Sequence, residues 1–198
     1  MTGPAEAGPV TRILDFWFGA PGSAERGKPR MLWFKSSDAL DAEIKFLFEA
    51  DWHCAMAGEY DGLTGTPRGA LAVIILLDQF PRNMFRATAG AFASDDRALQ
   101  IAIQAVDAGF DRKLEELERM FMYLPFEHAE DMAMQDRAVS LMSSLSDPQY
   151  LEYAHKHRDI ILRFGRYPYR NDVVGRPNTA EEETWMSDPD AESFGQKK

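Results

Sequence analysis

Apolar positions recur at three- and four-residue spacing along most of this chain, which is the period of amphipathic helices. Ile13, Leu14, Trp17 and Phe18 mark one side of a short helix over Val10 to Phe18, and a Gly-, Pro- and Ser-bearing loop follows from Gly19 to Lys28. Ser36 or Ser37 then caps a long helix, Asp38 to Ala57, with Leu40, Ile44, Leu47, Phe48 and Asp51 on its inner face and Gly58 at its end. Pro67 occupies a first-turn position and opens a helix to Gln79, where Phe80-Pro81 stops it. The apolar run Ala70 to Leu77 could be read as a strand, but the chain holds no comparable strand to pair with it. Helix is therefore the reading.

Further along, Ser94 caps a helix to Ala108 that Gly109 closes, and Asp111 caps another through Tyr123. Pro125 kinks that helix or starts a new one reaching Leu145. Asp147-Pro148 opens a helix ending near Gly165, and Thr179 with Glu182 forms a capping box for a last short helix. The pattern predicts an all-α chain of about eight helices with short connections. Consecutive helices so joined pack as antiparallel pairs, either in an irregular bundle or in a short right-handed superhelix. One domain is expected over residues 10–187, with a flexible start over residues 1–9 and a polar, loose tail over residues 188–198.

Composition narrows the function classes. The chain has 198 residues, 45% of them hydrophobic, and a formal net charge of −10. That charge opposes sequence-independent nucleic-acid binding and docking on an anionic membrane surface. No apolar run approaches the ~20 residues needed to span a bilayer, and no signal peptide is visible, so a cytoplasmic protein is expected. The single cysteine, Cys54, rules out an internal disulfide and reads as a small buried hydrophobe. The chain carries no GxSxG, P-loop, dinucleotide fingerprint, HExxH or thiol pair, and no cofactor is expected. The four tryptophans read as core anchors.

Candidate chemistry sits in four segments. Asp78-Gln79-Phe80-Pro81-Arg82-Asn83 ends a buried apolar element with polar groups, and Asp78 can pair with Arg82. Glu127, His128, Glu130 and Asp131 would share one helix; His128 or Glu127 could be a general base, with Asp131 orienting it. Either segment could equally be a structural ion-pair network. Glu152-x-x-His155 is half of a di-iron motif, but it stands alone and His157 faces away from His155, so no metal site is expected. Arg163, Arg166, Arg170 and Asn171 form a cluster in a Gly/Pro-constrained turn that needs carboxylates or a ligand anion.

These segments carry a resemblance. Thr66-Pro67-Arg68-Gly69, the stretch Leu76 to Asn83, Glu118 to Phe121, Leu124 to Asp131 with position 129 free, Arg163 to Arg166, Arg170-Asn171, and Val174-Gly175-Arg176 followed by Thr179-x-Glu181-Glu182 resemble the bacterial family catalogued as domain of unknown function 924. The resemblance spans roughly Ile13 to Trp185. It implies a tetratricopeptide-like fold of stacked helix pairs, and it brings no activity or catalytic residue. The family often has Ser where this chain has Ala129 and His where it has Tyr169; tyrosine is no equivalent ligand, which argues against a metal-dependent enzyme.

Two functions stay open. The favoured one is a binding module whose groove holds an acidic peptide or small anion through Arg68, Arg82, Arg163, Arg166 and Arg170, with Asp78, Gln79, Asn83, Glu130 and Asn171 beside them. The alternative is a small-molecule hydrolase or lyase using His128 or Glu127 as base. A purely structural role for the polar segments, with function on another surface such as a homodimer face, is the third reading.

Overall fold

A computed structural model describes residues 7–33, 35, 37–189, 191 and 194. Among these the regular structure is helical throughout. Helices α1 (Pro9–Phe18), α2 (Asp38–Met56) and α3 (Pro67–Ile74) are followed by α4 (Phe80–Met84), α5 (Asp95–Asp107) and α6 (Glu116–His128). Then come α7 (Met132–Met142), α8 (Pro148–Phe164) and α9 (Ala180–Ser187). The polar segments at residues 1–6, and most of the expected tail after 189, lie outside the described residues, as does Ser36. Pro9 is the first residue of α1 rather than part of a leading segment.

Local signals account for the element ends. Ser37 accepts a hydrogen bond from the Leu40 amide, Thr66 from Gly69 and Asp147 from Gln149, each relieving an amide that the first helical turn leaves open. Gly165 closes α8 in the left-handed conformation, at φ 69°. Thr179 and Glu182 form the reciprocal capping box at α9.

Helix α3 is the hub. Gly69 through Ile74 are all buried, and the helix packs against α1, α5 and α6. A helix apolar on every side can sit only inside others. Its start is held very close to the preceding turn: a Cβ on Gly69 would lie 1.9 Å from the Leu63 carbonyl oxygen, so only glycine fits. Beside it, Trp17, Phe48, Phe80 and Phe121 make edge-on and tilted ring contacts at 4.5–5.5 Å between centroids. Helices α5 to α8 pack each against the next, α7 on α8 most extensively.

Pro81 and Pro125 both lie within helical stretches, so neither starts or stops one. Residues Ile75–Gln79 form a π-helical turn in which the Phe80 amide donates to the Ile75 carbonyl, five residues back. The extra residue shifts the hydrogen-bond register, so Pro81 falls in the first turn of α4, where no amide is needed, and the chain stays helical to Met84. Pro125 neither ends nor restarts a helix: α6 runs through it to His128. The break comes at Ala129–Asp131, where the Asp131 side chain accepts from the Met134 amide and caps α7. Cys54 is only half buried, not sealed in the core.

Candidate active site

The π-helical turn delivers Asp78 to the centre of the protein. Its side chain is 0% exposed. One carboxylate oxygen lies 2.7 Å from Nδ1 of His128, on the last turn of α6, and 3.4 Å from Nη1 of Arg82. The other oxygen accepts from the Gln79 amide. Arg82 also donates to the Asp78 backbone carbonyl and grips Asp95, at the start of α5, with two bonds of 3.0 and 3.1 Å. Arg170 reaches the same Asp95 at 3.3 Å, and its guanidinium lies 4.5 Å from the ring centres of Phe92 and Tyr167. Five separate elements thus meet in one ionic centre.

The charges follow from this packing. Burial pushes the Asp78 carboxyl up, but the Arg82 guanidinium, the His128 ring and two hydrogen bonds outweigh it and hold Asp78 well below the usual carboxylate range. Burial and Arg82 push His128 below the ordinary imidazole value, against the pull of Asp78. His128 is therefore neutral at pH 7 beside an ionised Asp78. The 2.7 Å contact then requires Nδ1–H to donate to the carboxylate, which leaves the Nε2 lone pair outward. Among the described residues, no side chain or backbone group bonds Nε2.

His128 faces a cavity of about 200 Å³, lined also by Trp17, Lys35, Asn83, Tyr169 and Arg170. Across it stands a second imidazole, His157 of α8, with ring centroids 6.1 Å apart. His157 donates from Nδ1 to the Tyr153 carbonyl at 2.9 Å and faces Glu127 Oε2 at 3.3 Å. Burial, then the neighbouring His128, takes His157 down to about 3, so it is neutral. Burial and the Asp78 charge push Glu127 up to about 8, so its carboxyl keeps its proton at pH 7. Burial holds the Tyr169 phenol up at about 12. The site accordingly contains a proton acceptor, His128, and two groups, Glu127 and Tyr169, that hold protons.

The candidates named from sequence divide in two. Asp78, Gln79, Arg82, Asn83, Glu127, His128 and Arg170 gather at or directly behind the cavity, with Asn83 donating to Asp41 at 2.7 Å. Arg68 instead pairs with Glu118 at 2.9 Å, Arg163 with Glu181 at 2.8 Å, and Arg166 with both oxygens of Glu182. Those three point to separate places and do not share a groove. Glu130 binds Arg176 and the Tyr167 amide, and Asn171 donates to Asn178. Asp131 shares no face with Glu127, because the helix break separates them, and it is exposed.

Sequence reasoning missed Asp95, Lys35, Trp17 and His157 as site residues. Asp95 is masked by its place in a helix first turn, where an acidic residue has a sufficient reason already. His157 has no histidine partner on its own helix, and only the packing of α8, which buries it on the inner face, brings it to the site.

The fold and site together define an all-helical protein with a buried carboxylate–imidazole pair opening onto an arginine-bearing cavity. Residues 13–190 match the family described as bacterial protein of unknown function (DUF924), and the chain belongs to that family. It is similar to the solved structure of a protein of unknown function from Agrobacterium tumefaciens, with 39% identity, a TM-score of 0.80, and 90% of this chain and 96% of that one covered. No curated protein matches the chain. No helix among the described residues is long and apolar enough to cross a membrane.

Proposed function

We propose that this protein is a small-molecule enzyme of the hydrolase or lyase type, in which His128 is the general base and Asp78 its orienting carboxylate. The observation that carries this is the 2.7 Å bond fixing His128 Nδ1 while Nε2 faces the cavity unbonded by any described residue. A base needs an unprotonated lone pair within reach of substrate, and burial and Arg82, which push His128 below the ordinary imidazole value, keep that lone pair free at pH 7. Among the described residues that line the cavity none is a serine or cysteine, and the chemistry His128 supports is proton abstraction or activation of a water. Arg82 and Arg170 lie where they can stabilise negative charge that develops on the substrate.

The binding-module reading loses three of its five arginines to the pairs with Glu118, Glu181 and Glu182. What survives of it is an anion-holding function for the remaining two, and that function belongs to the same cavity.

The test is a turnover screen of the purified chain against small carboxylate- and phosphate-bearing esters, amides, lactones and hydroxy acids. His128→Asn should lower any activity found by about a hundredfold or more, the usual worth of a positioned base. Equal turnover by His128→Asn would remove His128 from the chemistry. Binding of such compounds without any turnover would return the protein to the binding-module class.

A further inference from the structure

His128, Phe92 and Arg170 line not one cavity but two. The second, of about 370 Å³, lies beyond them and is bounded by Leu99, Pro125, Ala129, Val174, Asp96 and Glu130. The two differ in charge. Around the first, four cations (Lys35, Arg82, Arg86 and Arg170) stand against three carboxylates (Asp41, Asp78 and Asp95), an excess of one positive charge in a chain of net charge −10. Lys35 has no carboxylate partner among the described residues. Around the second, Asp95, Asp96 and Glu130 outnumber Arg170 and Arg176, and the remaining wall is apolar.

Two residues that line the first cavity, Trp17 and Arg170, also carry buried N–H groups without partners among the described residues. Trp17 is 2% exposed and its indole Nε1–H bonds nothing among the described residues; Arg170 is 6% exposed and its Nε–H is likewise unbonded. Leaving a buried donor open costs free energy that a ligand oxygen would recover. An excess of one positive charge suits a monoanion. A phosphate near two negative charges would leave one uncompensated.

We propose that the two cavities form a single substrate site: the carboxylate of a small monocarboxylic acid lies against Trp17 and Arg170 in the first, and an uncharged aliphatic arm crosses His128 into the second. The acidic side of the second cavity keeps the molecule in this orientation and rejects a second carboxylate. The arm then passes His128 Nε2, which places the reacting centre between the two halves. This deepens the enzyme reading of the same site and rests on it for the role of Nε2 alone.

The experiment is an NMR titration of the whole chain that follows the Trp17 indole N–H, with acetate, hexanoate and adipate as probes. Acetate should shift that signal, hexanoate should bind at least tenfold tighter than acetate, and adipate no tighter than acetate. Val174 is 38% exposed, so Val174→Asp should fold. It should cut the hexanoate-to-acetate affinity ratio at least threefold. An unmoved Trp17 signal, equal affinities for acetate and hexanoate, preferred adipate, or an unchanged ratio in Val174→Asp would each overturn the proposal. The readout needs no turnover, so the two ideas fail separately. Hexanoate binding with no turnover of any compound leaves this site standing and removes the base; His128-dependent turnover with no gain for hexanoate does the reverse.

Discussion

Glu127 offers a quantitative check on the buried centre. In the unfolded chain its carboxyl titrates near 4.5, whereas in the folded protein burial and Asp78 raise it to about 8. For an acid raised in this way the folded state binds the extra proton, so its contribution to stability is most favourable below 4.5. That contribution is lost steadily as pH rises toward 8 and is constant above it. Glu127→Gln keeps the shape and removes the titration. Integrating the proton linkage between pH 5 and pH 7 gives a widening of about 2.5 kcal/mol in favour of the variant over that window. The replacement amide brings N–H donors into a pocket where the neighbouring group, His157 Nδ1 at 3.3 Å, is itself a donor. That mismatch costs about 1–3 kcal/mol, but it is independent of pH and cancels in the comparison of slopes. The assay is urea unfolding followed by tryptophan fluorescence at pH 5, 6 and 7 for both proteins. A stability difference that stays constant across the three pH values would refute the claim that Glu127 is held protonated.

Other substitutions probe the frame around the site. Gly69→Ala forces a Cβ to 1.9 Å from the Leu63 carbonyl; calorimetry should show a loss of about 1–3 kcal/mol or more, since backbone must shift. Ser94 is buried, donating to the Leu77 carbonyl and accepting from Trp52 Nε1. Ser94→Ala should therefore cost about 1–3 kcal/mol in chemical denaturation, by orphaning both partners. Arg166→Ala removes a bidentate pair with Glu182 at 2.7 and 2.8 Å, and Arg166 lines neither cavity. It should lower Tm by loosening α9 while leaving the acetate-induced shift of the Trp17 indole unchanged; a lost shift would mean Arg166 does serve the site.

Much of the helical frame could be read directly, because period, caps and glycine ends act locally. Thr66, Asp147, Gly165 and the Thr179–Glu182 box mark their termini through hydrogen bonds no more than four residues long. Register was not legible around the prolines. Pro81 signals a stop by itself, and only the π turn before it, stabilised by packing against α2 and α5, lets the helix continue. The site shows the same division. Asp78, Arg82 and His128 stand out as polar groups among apolar neighbours, which needs no tertiary knowledge. Which carboxylate meets which arginine is set by contacts such as Arg170 to Asp95, 75 residues apart, and Arg68 to Glu118, 50 apart. Composition assigns those arginines to one cluster; topology distributes them among five carboxylates.

The proposed chemistry requires a neutral His128 whose proton sits on Nδ1 against an ionised Asp78. Two-dimensional ¹H–¹⁵N spectra of the histidine rings at pH 7 read that state directly. The prediction is a neutral ring with Nδ1 protonated, Nε2 bare, and a titration midpoint below 6.5. A His128 ring that carries its proton on Nε2, or that is an imidazolium at pH 7, would contradict it.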